Sequence, residues 1–344
     1  MKATIELGKV KVHGLAQPVK IAKNAVNKHI LVTGMSGSGK TVALQQIEKN
    51  AIESGACVVV LNCGATHEWN RGGDDRVVHC VVRDEGFPFR LLVPIKGPDE
   101  KVECVEDISE NIIASLDRLN RMSRVQKKVL RQAICAVLER SGSVSSMKEI
   151  AQEMEREESE DALEALETFS IFFQRIQWIG QTLELQPGKI YNLDFSGYDS
   201  LTQWLLAEMA LSWLWRYAQL CGKSNRYDTY VVCDEFQNLD SDSGPVLSQI
   251  LREGRRHKLF LVLATQTLVG VERCERVILH QVGTNLFFKP TEEEYRQIAR
   301  LIDAENVEQI VGALQKLCVG ECIAKGRFSV GRVILEKPLK VSFK

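Results

Sequence analysis

The chain has ten cysteines in 344 residues but no C-x-x-C pair and no repeating cysteine spacing, so neither a zinc ribbon nor a disulfide framework is indicated. Cys57, Cys135 and Cys233 lie inside apolar runs, where a thiol acts as a small core group and stays reduced, as in a cytoplasmic protein. A net charge is missing as well: 44 Lys and Arg against 45 Asp and Glu leave −1. That balance excludes a basic coat over the whole surface, though not a local basic patch. No apolar core of a signal peptide follows Met1. The most hydrophobic stretch, Leu201 to Leu220, contains Gln203, Glu208, Arg216 and Gln219, which argues against a membrane span. It reads instead as a core helix carrying Trp204, Trp213 and Trp215. Internal repeats are also lacking. With 44% hydrophobic and 26% charged residues, the chain suits one large globular domain or two smaller ones.

What is present is a complete phosphate-binding loop, Gly34-Met-Ser-Gly-Ser-Gly-Lys-Thr41. Gly34, Gly37 and Gly39 let the backbone turn so tightly that successive N–H groups, those of Ser36 and Ser38 among them, point at phosphate oxygens. Lys40 brings a compact positive charge to the β- and γ-phosphates. Thr41 offers a hydroxyl to Mg²⁺ and, with Val42, opens a helix whose N-terminus favours anions. The flanks agree: His29-Ile-Leu-Val-Thr33 suits a buried strand, and Val42-Ala-Leu-Gln-Gln-Ile-Glu-Lys49 suits a helix. The expected ATP contacts are therefore Gly34, Ser36, Gly37, Ser38, Gly39, Lys40, Thr41 and Val42.

Hydrolysis needs a second set of groups. Tyr230-Val-Val-Cys-Asp-Glu235 runs apolar residues to the carboxyl end of a strand and follows them with two carboxylates. Asp234 is suited to hold Mg²⁺ through its water shell, and Glu235 to polarise a water for in-line attack. The next strand ends Ala264-Thr-Gln-Thr267, where Gln266 can sense the γ-phosphate or orient the water. Between these strands Arg252, Arg255, Arg256 and Lys258 form a basic cluster behind Gly254, which reads as a helix end. Three uses stay open for it: an arginine acting in trans on a neighbouring subunit's γ-phosphate, a nucleic-acid phosphate contact, or a solvated helix end.

Strands and helices alternate along most of the chain. Residues 1–28 form a short β-rich segment and 29–98 the first part of an ATPase core. A helical insertion follows over 99–180, and 181–344 complete the core. In the insertion Val125, Val129, Ala133 and Val137 recur at helical spacing, and Ser146 with Glu149 has the pattern of a capping box. Strand candidates include Ala56–Leu61, Val77–Val82, Lys189–Asp194, Asn285–Lys289, Glu321–Lys325 and Arg332–Glu336. The alternation implies an α/β fold with a mostly parallel sheet and helices on both faces.

Asp234-Glu-Phe-Gln-Asn-Leu239, Ile250-Leu-Arg-Glu-Gly-Arg-Arg-His257 and Leu263-Ala-Thr-Gln266, in that order, resemble the HerA/FtsK superfamily of additional-strand P-loop ATPases. His29–Gly34 and Gln281-Val-Gly-Thr-Asn-Leu-Phe-Phe288 are similar to it too. The likeness is to the HerA and VirB4 side, whose members carry a helical insertion. It implies a RecA-like core binding ATP and Mg²⁺, and a homo-hexameric ring that moves DNA, or sometimes protein, through a central pore. Carried over, it makes Lys40 and Thr41 the nucleotide and metal contacts, Asp234 the second metal anchor, Glu235 the base and Gln266 the sensor. Arg255 or Arg256 becomes the arginine acting in trans. The function expected is an ATP-hydrolysing ring motor, a DNA translocase working with a partner nuclease or effector in DNA processing, mobile-element transfer or antiphage defence. The alternative is a nucleotide-gated scaffold, or a secretion or conjugation ATPase, that organises a partner without moving DNA. The chain departs from the pattern in three respects: only residues 1–28 stand where HerA proteins carry a β-barrel, Leu61-Asn-Cys-Gly64 ends a strand that often ends in Asp, and the sequence shows no transmembrane segment of the kind expected in a membrane-anchored FtsK or coupling protein.

Overall fold

The computed structural model describes residues 4–63, 74–117, 121–144, 147–156, 160–174, 176, 183–221, 227–239, 245–268 and 281–344. The chain divides into two compact units, one of residues 1–79, 185–192 and 226–344, the other of 80–184 and 193–225.

The first unit is built on a sheet. Its parallel strands are β3 (Ile30–Thr33), β4 (Cys57–Asn62), β7 (Thr229–Cys233), β8 (Leu259–Thr265) and β9 (Thr284–Phe288). In space they run β9-β3-β8-β7-β4, each neighbour parallel to the next. Continuous apolar runs such as Cys57-Val-Val-Val-Leu61 suit strands covered on both faces. One face packs Ile30, Val32, Val58, Val60, Val262 and Ala264 against Ala43, Leu44, Ile47 and Ala51 of α1 (Lys40–Glu53). On the other, Phe287 and Ile323 meet Ile298, Ile302 and Leu314 of α9 (Tyr295–Ile302) and α10 (Val307–Gln315). Leu286 and Phe288 belong to the first cluster and Phe287 to the second, as the two-residue period of a strand requires.

The sheet is mixed rather than parallel throughout. Beyond β9 lies an antiparallel wing of β1 (Glu6–Val12), β2 (Leu15–Ile21), β10 (Glu321–Gly326), β11 (Phe328–Val330), β12 (Val333–Leu335) and β13 (Leu339–Ser342), in the order β12-β11-β2-β1-β13-β10. β10 pairs antiparallel with β9 and joins the two halves. The strands β1 and β2 of the N-terminal segment belong to this wing. His13 and Gly14, at φ 48° and 81°, make the two-residue turn between β1 and β2. At the far edge, past β4, lie β6 (Ile190–Asp194) and β5 (Val77–Val81), and the division between the units falls within both.

The second unit is helical. It contains α2 (Val82–Glu85), α3 (Val105–Leu116), α4 (Arg124–Ser141), α5 (Met147–Glu155), α6 (Glu160–Gln174) and α7 (Ser200–Cys221). A capping box of Ser123 and Gln126 starts α4, and Gly142 in the left-handed region ends it. The box expected at Ser146 lies outside the described residues. Within α7, Arg216 forms a buried ion pair with Glu103 at 2.8 Å and donates to the Leu91 carbonyl at 3.0 Å, so its charge is fully partnered. Trp213 stacks on Phe89 with centroids 4.3 Å apart. Among the described residues, no helix is long and apolar enough to cross a membrane. α8 (Pro245–Glu253) returns to the first unit.

Candidate nucleotide-binding site

Three parallel strands bring the motifs to one edge of the sheet. Thr33 of β3 is level with Thr265 of β8, and Leu263 of β8 is level with Cys233 of β7. The phosphate loop leaves β3, Gln266 leaves β8 and Asp234-Glu235 leave β7, all at the carboxyl ends where open α/β sheets bind ligands. β3 and β7 flank β8, so loop and acid pair stand about two strand spacings apart, on the order of 10 Å.

The loop conformation depends on its glycines. Gly34, Gly37 and Gly39 have φ of 149°, 74° and 102°. A Cβ on Gly34 would lie 2.6 Å from Phe288 Cβ, and one on Gly39 would lie 2.7 Å from the Gly320 nitrogen. Nothing lies within 4 Å of a Cβ on Gly37, so the crown of the loop is open. Met35 N–H donates to the Lys289 carbonyl, Ser38 Oγ to the Met35 carbonyl at 2.7 Å, and Gly320 N–H to the Ser38 carbonyl. Gly39 is the N-cap of α1 and gives no side-chain acceptor, which leaves the first-turn N–H groups turned toward an anion. Thr41 is half-buried in that turn and Val42 is exposed. This bare, glycine-lined concavity over a helix N-terminus fits a polyphosphate.

Lys40 is buried, and Nζ donates to the carbonyls of Gly34 at 2.7 Å and Met35 at 3.2 Å. Two of its three protons are used in this way, leaving one for a ligand. Burial lowers its pKa from the usual lysine value, while the carboxylates of Asp234 and Glu235 oppose the shift. Lys40 and the acid pair face the same crevice because β3 and β7 both flank β8. Asp234 Oδ1 accepts the Glu235 N–H at 3.0 Å. Glu235 sits at φ 54°, a strained conformation for a residue with a side chain, which turns its carboxylate back toward β8. There Oε1 accepts Gln266 Nε2 at 2.6 Å, and Oε2 accepts Gln237 Nε2. The Cys233 thiol behind this pair is held well above its usual range, first by burial and then by Cys63 and the two carboxylates, and remains a core group.

The basic cluster stands elsewhere. α8 ends at Glu253, and Gly254–His257 form a 3-10 turn into β8. A Cβ on Gly254 would fall 2.3 Å from the Leu259 carbonyl oxygen, so only glycine fits there. Arg252, Arg255 and Arg256 are exposed. They precede β8 whereas Gln266 follows it, and the seven residues of that strand put roughly 20 Å between them. The structure therefore does not bring Arg255 or Arg256 to the phosphate loop of their own chain. Of four further residues in this region, Asn62 and Gln237 lie within stretches singled out in the sequence, whereas Gly320 and Glu294 carry no signature there. Asn62 ends β4 one position beyond Leu61, the partner of Cys233, and so adjoins Asp234. Gln237 donates to Glu235, Gly320 N–H donates to the Ser38 carbonyl of the loop, and Glu294 accepts from Thr267 and Leu268, the two residues after Gln266.

Residues 5–212 match the family model of the central domain of the helicase HerA. No curated protein matches the sequence. Among solved structures the chain is similar to VirB4 of Thermoanaerobacter pseudethanolicus, with 17% identity and a TM-score of 0.73 over 99% of this chain and 97% of that one. It is also similar to the plasmid coupling protein TrwB. The TrwB complex with a non-hydrolysable GTP analogue gives 14% identity and a TM-score of 0.67 over 98% of this chain and 89% of that one. The complex with ADP and Mg²⁺ gives 14% and 0.64 over 97% and 90%. These likenesses establish the RecA-like P-loop fold. With its phosphate loop and three motif-bearing strands in one unit, the chain belongs to the family of the HerA helicase central domain, whose members are P-loop ATPases.

Proposed function

We infer that the chain binds MgATP between the phosphate loop and the acid pair, hydrolyses it, and uses the cycle to move DNA through a ring of six copies. The observation that carries this reading is the shared carboxyl edge of β3, β8 and β7, which sets Lys40, Gln266 and Glu235 around one crevice. The loop N–H groups from Ser36 to Val42 and the remaining Lys40 proton hold the phosphates. Thr41 and Asp234 are the residues suited to hold Mg²⁺, which when bound neutralises charge on the β- and γ-phosphates. Glu235 accepts the proton of the attacking water, and Gln266 and Gln237 fix its carboxylate for that task. Gln266 donates to Glu235, so a γ-phosphate within its reach competes for the same amide.

Arg255 and Arg256 have no place in their own chain's crevice and lie exposed at the opposite end of β8. That position supports service to a neighbouring subunit, which in turn favours a ring. TrwB, similar in fold, is a conjugative coupling protein, and a motor that works with a partner nuclease or effector is in keeping with that likeness.

The test is ATP hydrolysis with and without DNA at low salt. The motor reading expects stimulation by DNA, loss of activity in Lys40→Ala and Glu235→Gln, and displacement of a roadblock from DNA. Hydrolysis with neither DNA stimulation nor DNA binding would sink translocation, and ATP-dependent capture of a partner without displacement would favour the scaffold instead.

A further inference from the structure

Glu294 is a carboxylate buried to 2% exposure on the sheet face opposite α1, in a run of three glutamates whose other two members are exposed. A buried carboxylate is costly unless its oxygens are saturated with donors. Here Oε1 accepts both the Thr267 hydroxyl and the Leu268 N–H at 2.8 Å, and Oε2 accepts the Thr291 hydroxyl at 2.9 Å. The first two donors are the residues that directly follow Gln266. The third leads from β9 into α9, whose Tyr295 and Ile298 pack with Leu268. On the other side of Gln266, Thr265 is fully buried and donates Oγ1 to the Thr267 carbonyl at 2.8 Å. Gln266 is thus an exposed side chain on a turn anchored at both shoulders, and its amide points at Glu235.

We propose that Glu294 is a positioning residue for Gln266: its charge-assisted hydrogen bonds fix the Thr267-Leu268 backbone and so aim the Gln266 amide at the Glu235 carboxylate. This rests on reading the crevice as an ATPase site. A group held this way acts on rate through geometry, because a small misplacement in the crevice lowers catalysis without weakening phosphate binding on the far side.

Thr267→Val is the leading variant, since it keeps shape and removes one of the two donors on Oε1. Glu294→Leu would remove the acceptor of all three bonds, leave the buried Leu268 N–H without its partner, and lose stability as well. Expected for Thr267→Val is a fall in kcat of about tenfold, with KM for ATP and affinity for ADP unchanged, and recovery in Thr267→Ser. Glu294→Gln, which keeps an oxygen for the Oε1 donors, should lose less. The decisive arm repeats Thr267→Val in a Gln266→Ala background, where the further loss should vanish because the group being aimed is gone. An equal loss in both backgrounds, or an unchanged kcat in Thr267→Val, would overturn the proposal while leaving the ATPase reading intact. Absence of hydrolysis in the wild type, and of any effect of Gln266→Ala, would overturn the ATPase reading and this proposal with it.

Discussion

Every residue of β3, β4, β7 and β8 is buried, whereas β2 and β12 are mostly exposed or half-buried along their length. Both groups belong to one sheet, and the contrast follows from how their strands are joined. Parallel neighbours need long crossovers, so helices cover both faces and the connecting loops gather at the carboxyl edge. Antiparallel neighbours such as β1 and β2 close through a two-residue turn and leave no crevice. The chemistry-bearing side chains accordingly sit in the parallel half. The wing meets the phosphate loop at the turn before β10, where Gly320 N–H donates to the Ser38 carbonyl and the Gly320 carbonyl accepts the Phe343 N–H. The contrast also shows how a P-loop core can carry an edge structure that supports the nucleotide loop without contributing a reacting group.

The largest expected effect breaks the parallel half alone. Glu235→Gln should cut the hydrolysis rate on the order of 10³-fold while ATP binding persists, and Lys40→Ala should remove both, as read by a phosphate-release assay beside nucleotide titration. Next comes the point where the two halves meet. Gly39→Ala places a methyl 2.7 Å from the Gly320 backbone at φ 102°, and should cost about 3 kcal/mol together with nucleotide affinity, measured by denaturant unfolding. A third effect separates the halves by pH. His29, at the entry to β3, is buried and accepts the Leu261 N–H at Nδ1, 2.9 Å away. Burial pulls its pKa from 6.5 down to about 4, against the pull of the Ile250 and Leu251 carbonyls. Since the unfolded chain takes up this proton at higher pH than the folded one, stability falls as pH drops through the window between those values. About 2 kcal/mol should be lost between pH 7 and pH 5, and unfolding of His29→Asn should not show that portion. The smallest effect belongs to the edge of the wing: Ile334→Thr on β12, where the side chain is 48% exposed, should change stability by less than about 0.5 kcal/mol and leave hydrolysis untouched.

The same contrast explains what the sequence disclosed. The parallel strands were legible because each is a continuous apolar run ending in a polar motif, as in Leu259–Thr265 before Gln266. The β10–β13 region is legible only in part: β12 is an unbroken apolar Val-Ile-Leu, whereas β11 and β13 each offer two apolar residues separated by a Ser or Lys, too little for a run or a period to register. The helix start at Ser123 was hidden in Arg121-Met-Ser-Arg124, which lacks an apolar run beside it. Of the site, the loop glycines, Lys40 and the acid pair announce themselves because their spacing along the chain is their chemistry. Glu294 does not, since in Thr291-Glu-Glu-Glu-Tyr295 a buried carboxylate is indistinguishable from two solvated ones until the turn after β8 folds over it. Gly320 was hidden for a related reason, because its partner in contact, Gly39, lies at the other end of the chain.

The most direct test of the central claim is a structure with Mg²⁺ and a non-hydrolysable ATP analogue. The triphosphate is expected on the N–H groups of residues 36–42, with Lys40 on the β- and γ-phosphates and Glu235 one water away from the γ-phosphate. A triphosphate seated elsewhere, or one on the loop with Asp234 and Glu235 out of reach of its metal and γ-phosphate, would contradict it.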